Sequence, residues 1–250
     1  MIETLLRARE THRPIAPPSE TAPLSLADAY RIQDELRDAL VKRGEHVLGW
    51  KAGFTGKAPQ QVFGVDHPVS GFLLASGVYA TGQPVPVSRF AQLVVEVEVA
   101  FVMKRDLAGP GVTAAAALLA VEGALPALEL VDMRFTGKPS AADVVADGVY
   151  ANAIVLGQPL TPIVGLDLAV EGVVYELNGQ VAATAAGAEV LGNPLNSLAW
   201  IANQLGPRGL GLKAGDVVMS GSVSILLKPT AGDTVSARFT RLGAVSARFV

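Results

Sequence analysis

The chain has 250 residues, half of them hydrophobic and only 17% charged, with a formal net charge of −3. This composition demands a substantial buried core, which excludes disorder over most of the chain, and it carries no basic footprint for nucleic acid. The absence of cysteine excludes disulfides, thiolate metal sites and cysteine nucleophiles.

The opening MIETLLRARETHRP has mixed charges and no apolar stretch leading to a small-residue cleavage site, so no secretion signal is expected. The longest uncharged run, Gly148 to Leu166, is broken by Pro159 and Pro162. A membrane helix needs roughly 20 mostly apolar residues, so no membrane partner is expected and the location implied is the cytoplasm.

Ile2 to Glu10 predicts a short helix, followed by a stretch carrying Pro14, Pro17, Pro18 and Pro23. Ser25, with Asp28 three residues on, opens a second helix in the manner of a capping box. Ala29, Ile32, Leu36 and Leu40 recur along it at helical spacing, and Gly44 supplies a stop. From about residue 47 the pattern changes to short β-rich runs separated by Gly and Pro. Strands are predicted over 47–54, 77–81, 93–103, 127–132, 153–157, 169–179, 216–227, 233–240 and 244–250. Two helices interrupt them, an alanine-rich one from Thr113 to Gly123 and one opened by Asn193 as N-cap and Pro194 as first residue. VSARF occurs at 235–239 and again at 245–249, which predicts a hairpin. Many strands without βαβ alternation argue against Rossmann and TIM folds. The expected class is α+β, mainly β: a mixed β-roll or barrel with flanking helices. A helical region with a lead-in strand is expected over 1–70, and the roll over 71–250.

Common catalytic signatures fail. Gly209-Leu210-Gly211 lacks the third glycine of a dinucleotide loop, and Ser220, Ser222 and Ser224 do not form G-x-S-x-G. The three histidines, His12, His46 and His67, have no metal-pair spacing.

The informative segment is Leu93 to Val102, LVVEVEVAFV. Side chains alternate along a strand, so Val95, Val97, Val99 and Phe101 share one face while Glu96 and Glu98 share the other, about 6–7 Å apart. Carboxylates so close repel unless a cation or proton lies between them, and a hard divalent ion prefers oxygen ligands. A solvated strand face is the plainer alternative. Against it, Ala100 and Val102 continue the same face, and a third acid, Glu129, sits inside the apolar run PALELVD. Asp132 falls on the opposite face of that run and reads as a strand-end residue. Lys51, in LGWKAGFT, is either an edge-protecting surface lysine or an ammonium that handles substrate and protons beside the acids.

At these residues the chain resembles a known family. The strings GWKAGFTGKAPQQVFGVDHPVSGFLL, SRFAQLVVEVEVAFVMKRDL, PALELVDMRF, AAGAEVLGNPLNSLAWIANQL, AGDVVMSGS and VSARFV look like the 2-keto-4-pentenoate hydratase and 4-oxalocrotonate decarboxylase group of the fumarylacetoacetate hydrolase superfamily. The resemblance implies a fumarylacetoacetase-type β-roll and a magnesium or manganese ion held by Glu96, Glu98 and Glu129. It also implies a small 2-keto or 2-enol acid substrate in aromatic catabolism and a homo-oligomer. The family's lysine falls on Lys51, expected to orient the substrate carboxylate or move protons, and Asp66, Val69, Ser220 and Ser222 are further pocket candidates. Turn and strand-end chemistry is the alternative for Asp66 and both serines. Two departures stand out: Val69 occupies the place where many hydratases of the group carry an acid, and Gly148-Val149-Tyr150 replaces the usual Asn-Ala-Ser. The reaction implied is hydration of a 2-hydroxy-2,4-dienoate, with 4-oxalocrotonate decarboxylation as the alternative. A C–C bond hydrolase and a non-catalytic family member are the remaining ones.

Overall fold

The computed structural model describes all residues from 1 to 250. Helices α1 (Ile2–Thr11) and α2 (Leu26–Lys42) precede strand β1 (Val47–Gly53), helix α3 (Lys57–Phe63) and strands β2 (Val69–Leu74), β3 (Val78–Ala80) and β4 (Pro84–Val85). Then come β5 (Leu93–Met103), α4 (Ala114–Ala120), β6 (Val121–Asp132), α5 (Ala141–Ala146) and β7 (Ala153–Leu156). Strands β8 (Gly172–Leu177) and β9 (Gln180–Ala186), helix α6 (Pro194–Leu205), and strands β10 (Val217–Ser222), β11 (Thr234–Phe239) and β12 (Ala244–Phe249) complete the chain.

Helix starts follow local chemistry. The Ser25 side chain accepts from the Asp28 amide, Asn193 accepts from Leu195, and Pro194 occupies the first turn of α6. The alanine-rich helix is shorter than its composition predicts. It stops at Ala120, and Val121 passes directly into β6, because pairing with β5 along the whole of Val121–Asp132 outweighs local helix propensity. Helices α3 and α5 escape sequence periodicity, since at seven and six residues neither completes two turns.

Seven strands form one sheet in the order β2-β1-β10-β5-β6-β7-β3, and β4-β12-β11-β8-β9 form a second. The first sheet has to curl. Flat, its edge strands would stand about 29 Å apart at about 4.8 Å per step, yet β2 and β3, its two edges, are joined by Ala75–Gly77 alone. That link spans about 14 Å at full extension. The second sheet packs β11 and β12 over β6 and β7, and the Tyr175 hydroxyl donates to the Val95 carbonyl at 3.0 Å. The repeated VSARF segments pair antiparallel as β11 and β12.

One core cluster of 55 buried residues runs through the molecule and includes Leu5 and Leu6 of α1 together with Val95, Val97, Val99 and Phe101 of β5. A separate cluster of eight, among them Leu73, Ala100, Ala127, Ile154 and Met219, lies on the other face of the curled sheet. The sequence-based division at residue 70 falls inside β2, and β1 is hydrogen-bonded between β2 and β10. The lead-in strand is therefore part of the sheet, and the helical region ends ahead of Val47.

Parallel pairing of β1 with β10 requires a close backbone approach at Gly49, where an added Cβ would lie 1.9 Å from the Val217 carbonyl oxygen. Overpacking of this kind costs about 1–3 kcal/mol, and each kcal/mol moves the Tm of a chain this size by about 2–4 °C. Gly49→Ala is expected to lower the Tm by several degrees in a thermal melt; an unchanged Tm would contradict the pairing.

Candidate active site

The site grows from the register of β5 and β6. Glu96 pairs with Glu129 and Glu98 with Ala127, so the three glutamates emerge on one face of adjacent strands. One carboxylate oxygen from each of Glu96, Glu98 and Glu129 lies within 4.8 Å of the others. Glu98 and Glu129 are fully buried, and Glu96 is partly exposed. On the opposite face of β5 the valines fill the main core, as alternation requires.

Lys51 arrives from β1 across β10. Its Nζ stands 3.1 Å from Glu129 Oε2 and donates to the Val149 carbonyl at 3.2 Å. At 2% exposure it is not a surface lysine. Between Met219 and Ser222 the register of β10 against β5 slips, three steps on β10 matching two on β5 from Ala100 to Glu98. Such a bulge re-aims the strand. Here it turns the Gly221 amide onto Glu98, donating to Oε2 at 2.7 Å.

Glu98 Oε1 and Glu129 Oε1 remain buried with no hydrogen-bond partner. With all three carboxylates ionised, the single ammonium leaves two net negative charges unanswered. Burial pushes Glu96 up to about 7, with Lys51 pulling it down and Glu129 adding to the rise. Burial and the two neighbouring carboxylates drive Glu98 well above the ordinary range, and burial also raises Glu129 against the pull of Lys51. For Lys51 burial works downward, but the three carboxylates outweigh it and hold the ammonium above its usual value. Orphaned oxygens, an all-oxygen donor set and a residual charge of two match a hard divalent cation.

Val69 is fully buried. Its Cγ2 lies 3.3 Å from the point where a Cβ on Gly53 would stand, with Val149 Cγ1 at 2.6 Å and Lys51 Nζ at 3.9 Å from the same point. Val69 and Val149 thus make an apolar wall beside the ammonium. Ser220 is buried with its hydroxyl unpartnered, whereas Ser222, opposite Glu98 in register, donates to the Ser224 carbonyl at 3.0 Å. Asp66 is not drawn in: its side chain is 98% exposed in the turn after α3, near His67, so the expectation of a catalytic role for it finds no support in this geometry. The His67 ring packs over Trp200. Asp132 is more than a strand-end residue, for it is fully buried, accepts from the Gln92 amide and pairs with Arg134. Sequence reasoning missed Arg9, Arg134, Asp147 and the Gly221 amide; of these, only the charge of Arg134 and Asp147 within apolar surroundings offered a signal.

Residues 43–250 match the family model described as fumarylacetoacetate (FAA) hydrolase, C-terminal. The chain belongs to that family of enzymes. It is 40% identical over 204 residues to a 2-hydroxypent-2,4-dienoate hydratase of Pseudomonas putida, covering 81% of this chain and 91% of the relative. It is 37% identical over 228 residues to a 4-oxalocrotonate decarboxylase of the same species, covering 91% of this chain and 86% of the relative. Its fold superposes with a TM-score of 0.96 on 4-oxalocrotonate decarboxylase from Pseudomonas putida G7 complexed with magnesium and adipate, at 33% identity, covering 100% of this chain and 95% of that one.

The raised Glu96 gives a stability signature. Between its ordinary value of 4.5 and about 7, the folded metal-free protein holds a proton that the unfolded chain has released, so stability falls as pH rises through that window. Glu96→Gln has no such proton to lose. In denaturant unfolding of metal-free protein, the stability of the variant relative to the native sequence is expected to increase from about pH 5 to about pH 8. A difference that does not change with pH would contradict the burial of that charge.

Proposed function

We propose that the protein is a divalent-metal-dependent lyase that hydrates a 2-hydroxy-2,4-dienoate of the 2-keto-4-pentenoate type to a 4-hydroxy-2-oxo acid, in the catabolism of aromatic compounds. The observation that carries this reading is the buried glutamate trio closed by Lys51, with two carboxylate oxygens left without partners. Glu96, Glu98 and Glu129 would hold the ion, magnesium or manganese. When bound, it supplies Lewis-acid stabilisation of a 2-enolate.

The chain's own residues do the rest. Lys51, fixed by Glu129 and the Val149 carbonyl, presents an ammonium to the substrate carboxylate and moves protons at the enol. Ketonisation carries the proton of the 2-hydroxyl to C5 and leaves a conjugated C3–C4 double bond. Water then adds with its hydroxyl at C4 and its proton at C3. Val69 and Val149 keep that side of the site dry. The Ser220 hydroxyl, buried and unpartnered, is available to the substrate.

A second reading, 4-oxalocrotonate decarboxylation, is favoured by one feature, the buried apolar Val69 where an acid would assist the addition of water. There the bond from C5 to the departing carboxylate breaks and its electron pair enters the same dienolate. The proposal includes a cytoplasmic, self-associating protein. No helix is long and apolar enough to cross a membrane, and Val62, Val164, Val170 and Val181 stand more than half exposed.

Lys51→Ala is expected to cut turnover of 2-hydroxypenta-2,4-dienoate by about 10²–10⁴-fold while manganese affinity, read by calorimetry, is retained. Turnover within a few-fold of the native sequence would remove Lys51 from the chemistry. Val69→Asp is expected to raise hydration of the same dienoate. Carbon dioxide release from 2-oxohex-3-enedioate by the native sequence, without hydration of the dienoate, would replace the first reading by the second.

A further inference from the structure

We infer that Arg9, on the N-terminal helix α1, is a positioning residue for Lys51, clamping the 147–151 turn whose Val149 carbonyl holds the lysine ammonium. The inference rests on the role of Lys51 given above. Helix α1 lies outside the segment 43–250 that matches the family model, so Arg9 would reach the site from beyond it.

The turn is an awkward piece of backbone. Gly148, Val149 and Tyr150 have φ values of 79°, 56° and 57° in succession. Glycine accepts the left-handed region, but β-branched and aromatic residues rarely enter it, and they stay there only when the surroundings over-determine the conformation. The Val149 amide donates to the Val144 carbonyl at 2.8 Å and the Ala151 amide to Gly148 at 3.2 Å. The Tyr150 carbonyl accepts from the Asp132 amide at 3.0 Å, which leaves the carbonyls at the two ends, Asp147 and Ala151, to side chains.

Arg9 holds both. Its Nη2 donates to the Asp147 carbonyl and its Nη1 to the Ala151 carbonyl at 3.2 Å. A planar guanidinium bridges two fixed acceptors at a set spacing, which a flexible ammonium does not. Arg134, fully buried, adds a second clamp: Nη2 donates to the same Ala151 carbonyl at 3.1 Å and Nε to the Asp147 carboxylate at 2.9 Å. Asp132 and Asp147 balance the two arginines in charge. The Arg9 guanidinium lies over the Phe72 ring, 5.7 Å from its centroid, and Gly148 packs against both, since a Cβ there would meet Arg9 Nη2 and Phe72 Cε1 at 3.2 Å. With both ends and the Tyr150 carbonyl held, the Val149 carbonyl is left directed at Lys51. Without Arg9, Arg134 and the Asp132 amide still hold the far end, but the Asp147 carbonyl is released and the Val149 carbonyl loses its fixed aim at Lys51.

The test is a double-mutant cycle on the full chain with 2-hydroxypenta-2,4-dienoate and manganese. Arg9→Met is expected to lower kcat by about ten- to hundred-fold, the scale of a misplaced catalytic group, with manganese affinity unchanged. In the Lys51→Ala background the same change is expected to alter residual turnover by less than about two-fold, because the two residues act as one unit. Hydrogen exchange at the Val149 and Ala151 amides is expected to accelerate in Arg9→Met, a readout independent of activity. Equal losses in both backgrounds, or unchanged exchange at those amides, would overturn the proposal. If circular dichroism shows Arg9→Met unfolded, Arg9→Lys carries the same cycle and is expected to give the same pattern with a smaller loss. A native protein without turnover on this dienoate removes the proposed function, whereas the exchange measurement still reports on the clamp.

Discussion

Glu96, Glu98 and Glu129 crowd one carboxylate oxygen each into a space 4.8 Å across, with a single ammonium to answer them. Charges so placed would take up protons or separate. The backbone does not let them separate. Two of the glutamates face each other across the regular stretch of antiparallel ladder from Leu93 to Val102, the third sits two residues along the same strand, and the Gly221 amide pins it. Burial, together with the repulsion that remains, raises the carboxyl groups, and oxygens are left without partners. A divalent cation relieves both at once.

The curled sheet makes this confinement possible. One face carries the valines of β5 into the main core, where the second sheet and the helices cover them. Its other face carries the acids and Lys51, and beyond them the small apolar cluster around Ala100, Ala127 and Met219. The charged residues are therefore bounded by apolar packing on their own face as well as behind it. Low local dielectric strengthens every electrostatic interaction there, which is the condition under which a lysine and a metal-stabilised enolate are chemically useful.

How much of this the sequence disclosed depends on the range of the interaction. Alternation along Leu93–Met103 is enough to put Glu96 and Glu98 on one face, and a lone acid in an apolar run is enough to mark Glu129. Lys51 stands out only as an odd residue, since nothing local distinguishes a buried lysine from one guarding an edge. The Gly221 amide was invisible because it depends on a register slip between strands far apart in the chain. Arg9 was invisible for the same reason, its partner Asp147 lying 138 residues along the chain. The alanine-rich segment misled in the opposite direction, as local propensity extended a helix that strand pairing ends at Ala120. Asp66 sits in a turn whose sequence fits the family pattern, but its carboxylate faces solvent.

The central claim is that the three glutamates form one cation site and act together. Calorimetric titration of metal-free protein with manganese, comparing the native sequence with Glu129→Gln, tests it most directly. The account expects one ion per chain in the native protein, bound with release of protons because the raised carboxyl groups must ionise. It expects that binding to be lost or severely weakened in Glu129→Gln. No binding to the native protein, or equal affinity in both proteins, would contradict it.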